Sequence, residues 1–207
     1  MTEAAPGARA DILAKIRYAL ADHPEQHDIP RDYETSREVG DLLAVAEERI
    51  ADYKATVHRS TDPVATITEV LTARGRRTMI APADLPAEWR IPGIDWTLDD
   101  PPLDIDTMAA SDGVLTGCAA AIAETGTIIL DSGPGQGRRA LTLLPDYHLC
   151  VIRAEQIVGT VPEAIARVRP DRPITFISGP SATSDIEFNR VEGVHGPRTL
   201  DVIITER

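Results

Sequence analysis

Asp112–Leu130 reads DGVLTGCAAAIAETGTIIL, and the rest of the chain is organised around it. Gly113 follows an acid, small and apolar residues run to Ala123, and Glu124 then stands beside Thr125-Gly126-Thr127 ahead of a β-branched run to Leu130. A carboxylate inside an apolar run is costly to bury unless it is hydrogen-bonded or used. Gly126 takes backbone angles that other residues resist and lets another group approach closely. The stretch therefore predicts two strands joined by a tight turn that presents Glu124 and two hydroxyls.

Outward from this stretch, strand-like runs alternate with helical ones. LCVI (149–152), ITFI (174–177) and DVII (201–204), with VLTGCA (114–119) and TIIL (127–130), are continuously apolar, as in parallel strands covered on both faces. Short strands are also expected at Thr78–Ala81 and Asp95–Leu98. Helices are expected at Ala10–Leu20, from a cap at Ser36 toward Thr56, after Thr61-Asp62-Pro63 until Gly75, over Leu103–Ser111 and over Pro162–Val168. The pattern predicts an α/β protein with a largely parallel sheet. Residues 1–35 read as an N-terminal helix and linker, and residues 36–207 as a single α/β domain. The leading helix carries Ile12, Leu13, Ile16 and Leu20 on one face, free to dock on a partner or second subunit.

Composition narrows the function. Across 207 residues, 43% are hydrophobic and 26% charged, as in an ordinary globular protein. A formal net charge of -12 argues against a nucleic-acid or anionic-membrane surface. No run approaches the ~18 apolar residues of a membrane-spanning helix, and no signal peptide is read at the start, so a cytoplasmic location is expected. Cys118 and Cys150 stand far apart, which excludes a disulfide framework and a CxxC metal pair. No metal site and no cofactor on this chain are expected.

Four motifs are candidates for chemistry. Glu124-Thr125-Gly126-Thr127 reads either as a nucleophile, base or substrate-orienting carboxylate, or as a turn carboxylate capping nearby amides. The loop Ser132–Arg139 combines glycines with Arg138 and Arg139, which suits an anion-binding or lid loop as well as a plain connection. It lacks the GxxxxGK(S/T) spacing of a nucleotide P-loop. In Ser178–Glu187 a strand end passes into Gly179-Pro180-Ser181 and then Ser184, Asp185 and Glu187, as at a strand-to-helix anion site, or in a solvated loop with capping serines. Gly193–Arg198 sets His195 between glycines, with Gly196 and Arg198 after it. His195 is a candidate acid, base or anion ligand, or a hydrogen-bonding spacer. His23, His27, His58 and His148 form no cluster and receive no assignment.

AETGTIIL (123–130), GQGRRALTLLP (135–145), ISGPSATSDIEFN (177–189) and GVHGPRTLDVII (193–204) occur in this order and spacing. Together they resemble the LUD-domain family, specifically its lactate-utilisation protein C (LutC/YkgG) group, and the leading ILAKIRYAL is similar to that group's first helix. The resemblance implies a three-layer α/β sandwich around a mostly parallel sheet, similar to the NagB/RpiA/CoA-transferase superfamily. It implies a part in bacterial oxidation of L-lactate to pyruvate, beside partner proteins that carry iron–sulfur clusters. The alternative is a CoA-transferase-like or other small-carboxylate- or phosphate-processing enzyme, or a ligand-sensing module, that uses Glu124. CoA-transferases of the superfamily carry a catalytic glutamate in a Glu-Asn-Gly turn, and Glu124-Thr125-Gly126 is similar with Thr in place of Asn. Glu124, the Ser181–Asp185 turn and His195 are expected to converge at one sheet edge, with a small anion as ligand.

Overall fold

The computed structural model describes residues 7–21, 28–180, 182–183, 191–192 and 196–206. The chain separates into two compact units, Met1–Tyr33 and Glu34–Arg207. The first holds α1 (Ala8–Ala19), in which no residue is buried and Ile12, Leu13 and Ile16 lie exposed. No helix among the described residues is long and apolar enough to cross a membrane.

The second unit runs α2 (Leu42–Asp52), β1 (Thr56–Ser60), α3 (Pro63–Ala73), β2 (Thr78–Ala81), β3 (Asp95–Leu98), α4 (Ile105–Ala110) and β4 (Gly113–Thr116). It continues through β5 (Ala120–Ile122), β6 (Thr127–Leu130), β7 (Tyr147–Arg153), β8 (Ile157–Val158), α5 (Val161–Ile165), β9 (Thr175–Ile177), β10 (Ala182–Thr183), β11 (Val191–Glu192) and β12 (Thr199–Thr205). Six strands form one sheet in the order β1-β12-β7-β4-β2-β3, parallel throughout. Four more form a smaller sheet, β8-β5-β6-β9, in which β6 is antiparallel to both neighbours. β10 and β11 pair antiparallel.

The period-two alternation of strand side chains divides the core into layers. Leu115, Tyr147, Leu149, Val151 and Ile203 point to one face of the large sheet, where Ile67, Val70 and Leu71 of α3 cover them. Cys150, Ile152, Val202 and Ile204 point to the other face and meet Ala46 and Ile50 of α2 together with Ala121, Ile128 and Leu130 of the smaller sheet. Ala164 of α5 packs with Ala120, Ile122 and Ile129 on the far side of that smaller sheet. The result is a three-layer α/β sandwich built on a parallel sheet, whose strands are apolar on both faces because both are covered.

The structure corrects the expected elements in four places. Asp112–Leu130 contains three strands, because Gly117-Cys118 carries the chain from the large sheet at β4 into the β5–β6 hairpin of the small one. TIIL and ITFI therefore pair antiparallel with each other, outside the parallel sheet. The helix expected from Ser36 begins at Leu42, where the Asp41 carboxylate accepts from the Leu43 and Ala44 amides at 3.1 and 3.2 Å. It ends at Asp52, and Thr56–Ser60 forms an edge strand whose TVHRS sequence lacks an apolar run.

Candidate functional site

The β5–β6 turn sits where the apolar strand pattern runs out. Ala123 is buried, and the Glu124 amide donates to the Gly159 carbonyl at 3.1 Å, tying the turn to the end of β8. Gly126 has φ +60°, and an added Cβ there would stand 2.5 Å from the Arg49 carbonyl carbon and oxygen. Only glycine satisfies both the left-handed backbone and the close approach of α2. The Glu124 carboxylate is ion-paired with Arg37, and the pair lines a pocket with Ser36, Thr160 and Pro162. Thr160 Oγ1 is buried there without a hydrogen-bond partner among the described residues, while the Glu163 carboxylate accepts from the Thr160 amide at 2.8 Å.

A chain of hydroxyls links this turn to the third motif. Thr125 Oγ1 donates to Thr127 Oγ1 at 2.8 Å, and Thr127 Oγ1 lies 2.9 Å from Ser178 Oγ. Ser178 follows β9, which pairs with β6, so the first and third motifs meet at one edge of the smaller sheet. Gly179, at φ +86°, passes against Tyr53, whose carbonyl oxygen would stand 2.6 Å from an added Cβ. Ser178, Gly179 and Pro180 line a cavity of about 270 Å³ with Arg139, Thr142, His148 and Gly196. The cavity lies beside the edge strand β9 and at the amino ends of β7 and β12. The strand feeding the Ser178 motif thus belongs to the small sheet, and the carboxyl ends of the parallel strands are not involved.

His148 is the buried polar wall of this cavity. Its Nε2 lies 2.8 Å from Thr116 Oγ1, and burial pushes the imidazole down to about 4, so the ring is neutral near neutral pH. No sequence signal points to it, because it sits inside an apolar strand and far from any second histidine. Arg37 was equally silent, in a polar stretch ahead of a helix.

The other expected ligands are placed as follows. Glu124 with Thr125, Gly126 and Thr127 forms the turn just described, in a pocket separate from the one lined by Gly179, Pro180 and Gly196. The Arg138 guanidinium is bound bidentately to Asp99 at 2.8 and 2.9 Å and donates to the Leu103 carbonyl at 2.5 Å, so it fastens the irregular segment before α4. Its loop neighbour Arg139 is among the residues that line the cavity instead. Arg198 pairs with Asp146 on the surface, where both side chains are more than half exposed, so solvent screens the pair and it adds little to stability. Ser181, Ser184, Asp185, Glu187 and His195 lie outside the described residues, and with them the expected convergence on Glu124. Cys118 and Cys150 are buried free thiols, and the hydrogen bond with Cys150 together with burial pushes the Cys118 thiol up. Among the described residues no group of three or more His, Cys, Asp and Glu is arranged to hold a metal.

A model of the LUD domain matches residues 104–205, which contain the hairpin, the cavity-lining loops and β12. Over 202 residues the chain is 46% identical to lactate utilization protein C of Deinococcus radiodurans, with 95% of each chain covered. Lactate utilization protein C of Halalkalibacterium halodurans is 39% identical over 95 residues, 42% of this chain and 41% of that one. The crystal structure of a DUF162 family protein from Deinococcus radiodurans superposes with a TM-score of 0.69 at 44% identity, covering 82% of this chain and 99% of that one.

Proposed function

The chain belongs to the lactate utilization protein C family of LUD-domain proteins, and from that premise we propose that it is a component of bacterial L-lactate utilisation, the oxidation of L-lactate to pyruvate. The observation that carries this reading is the 46% identity to lactate utilization protein C across 95% of both chains. Oxidation of a 2-hydroxy acid to a 2-oxo acid releases two electrons and two protons. Two cysteines are too few to ligate an ordinary four-cysteine cluster, which supports giving the electron transfer to iron–sulfur partner proteins. This chain then acts in the cytoplasm beside those partners as an accessory, ligand-holding subunit. Lactate oxidation reconstituted from the partner proteins with and without the chain tests the role, as does growth on L-lactate after deletion of its gene. Both should fall without it. Unchanged oxidation and unchanged growth would overturn the reading.

A second reading gives Glu124 chemistry of its own on a CoA-transferase-like scaffold. The observation in its favour is the Glu124–Arg37 pair beside the unpartnered Thr160 hydroxyl in one pocket. An ion-paired carboxylate is a poorer nucleophile than a free one, so this arrangement suits holding a ligand better than attacking it. Glu124→Gln keeps the shape and removes the charge. If lactate-dependent growth and ligand binding both survive that change, the catalytic role of Glu124 is wrong.

A further inference from the structure

Two surfaces hold more than half of the large hydrophobic side chains that the described residues expose. One is the stripe of Ile12, Leu13, Ile16 and Leu20 along α1, and the other is the set Ile105, Leu143 and Leu144 beside α4. Along α1, Ile12, Ile16 and Leu20 recur every fourth residue with Leu13 next to them, which makes a single apolar stripe. Three cations border it: Arg9 stands one turn before Ile12 and Leu13, Lys15 three residues after Ile12, and Arg17 four residues after Leu13. With three cations and one acid, Asp11, α1 carries +2 in a chain whose formal net charge is -12. A helix of 12 residues is marginal by itself in water, and packing of an apolar face is what holds most protein helices. No residue of α1 is buried. Its pattern is that of a helix which lays its apolar face into a groove on another surface.

The second surface is such a groove. Leu103, Ile105, Met108, Leu143 and Leu144 line an open volume of about 740 Å³ between α4 and the turn that follows Arg139. Ile105 is 66% exposed although it opens a helix whose Met108 is buried. Asp104 and Asp106 also line the groove, and both are exposed. Asp104 caps α4 by accepting from the Thr107 amide at 2.7 Å, which holds its carboxyl below the usual carboxylate range and keeps it charged near neutral pH. Arg138, another lining residue, has its charge matched by Asp99. Apolar surface with carboxylates beside it is the complement of an apolar stripe bordered by cations. A further apolar groove, beside α5, has Arg167 among its lining residues, which is unfavourable to a basic helix.

We propose that α1 of one copy docks in the α4 groove of a second copy, with its stripe against Ile105, Leu143 and Leu144 and its cations near Asp104 and Asp106. Each chain carries both the helix and the groove, so two copies exchange helices about a two-fold axis. That closes the assembly and leaves no complementary surface over to propagate it. Pairing α1 with another α1 brings like charges together, and an anionic membrane attracts α1 while repelling the acidic remainder of the chain. The acid-bearing groove incurs neither cost. One short helix in each groove makes a small interface, of the weak and transient class. Dilute protein is therefore monomeric, and there α1 adds nothing to the melting of a single chain. The proposal does not depend on the lactate-utilisation role.

Analytical ultracentrifugation of the full chain from about 1 μM to about 500 μM, a span that brackets weak dimers, tests this. The wild type should pass from single-chain to two-chain mass as concentration rises. Ile16→Asp in α1 and Ile105→Lys in the groove should each raise the dissociation constant by about tenfold or more. Both replace exposed side chains, and the melting transition of each variant reports that it is folded. Hydrogen exchange of the α1 amides should slow at the highest concentration in the wild type and stay fast in Ile105→Lys. A single-chain mass at every concentration overturns the proposal. A dimer that survives both substitutions overturns it as well, and so does one lost with Ile16→Asp but kept with Ile105→Lys. Co-sedimentation of a chain that stays monomeric with phosphatidylglycerol vesicles, abolished by Ile16→Asp, would assign α1 to lipid instead.

Discussion

Gly126 shows how much a single position settles at the site. Its φ of +60° disfavours any side chain, and a Cβ would enter the backbone of Arg49 and Ile50. Gly126→Ala is expected to destabilise the protein by about 2–4 kcal/mol, from left-handed strain plus overpacking against backbone that has no rotamer to move. Urea denaturation checks it, and an unchanged midpoint would show that α2 yields easily. Glu124 and Gly126 were legible as a turn because a lone carboxylate and a glycine interrupted an apolar run. Arg37 was not, since its pairing with Glu124 depends on chain folding back from more than eighty residues away, and no local pattern encodes that return. Arg138 and Arg139 show the same limit in adjacent residues. Both read as donors in a glycine-rich loop, and only packing decided that one is fastened to Asp99 while the other is among the residues lining the cavity.

At the scale of elements, capping and periodicity were read well where they were local. Asp62 and Pro63 start α3 as their types predict, with the Asp62 carboxylate accepting from the Val64 and Ala65 amides. The start of α2 slipped by five residues because Ser36 and Asp41 are both good caps and the choice between them rests on what the preceding segment packs against. That segment runs over Gly159, where an added Cβ would meet Val39 at 2.9 Å. β1 escaped notice because an edge strand needs no apolar run. α1 has no buried residue. A chain beginning at Glu34 is therefore expected to melt within about 2 °C of the full chain, because a helix that buries nothing adds little to cooperative unfolding. Differential scanning calorimetry tests this, and a drop of more than about 5 °C would show that the leading unit stabilises the rest.

At the scale of the whole molecule, two buried ionisable groups among the described residues contribute to the response to acid. Asp201 is fully buried in β12. Burial pushes its carboxyl up, but the hydrogen bonds from Arg74 at 2.7 and 2.8 Å and from Tyr147 at 2.9 Å outweigh burial and hold it below the usual carboxylate range. A lowered acid contributes stability above its unfolded value and loses it as pH falls through the folded one. His148 acts earlier. Its folded value is about 4 against an ordinary 6.5, so the unfolded chain takes up the proton first and stability falls as pH drops from about 6.5 toward about 4. Near pH 5 the loss from this one residue is about 2 kcal/mol. Urea midpoints measured from about pH 8 down to about pH 5 should decline in the wild type and decline less in His148→Gln. An identical decline in both would mean that His148 does not set it.

The amino-acid sequence by itself determined the class of this protein: α/β, built on apolar strands covered on both faces, acidic overall, and a member of the LUD family through four motifs held in register. These are properties of local pattern and order along the chain, which hydrophobic periodicity and turn chemistry express directly. Only the tertiary structure decided which strands belong to which sheet, because a strand fully buried in a parallel sheet and one buried in an antiparallel hairpin have the same apolar sequence. Only it placed Ser178 against Thr127 and separated Arg139 from Arg138, since those contacts join segments whose distance in sequence carries no record of their distance in space. The hairpin at Glu124 was visible as a turn from the start. That it forms one end of a hydroxyl chain leading into a cation-bearing cavity is a fact of packing.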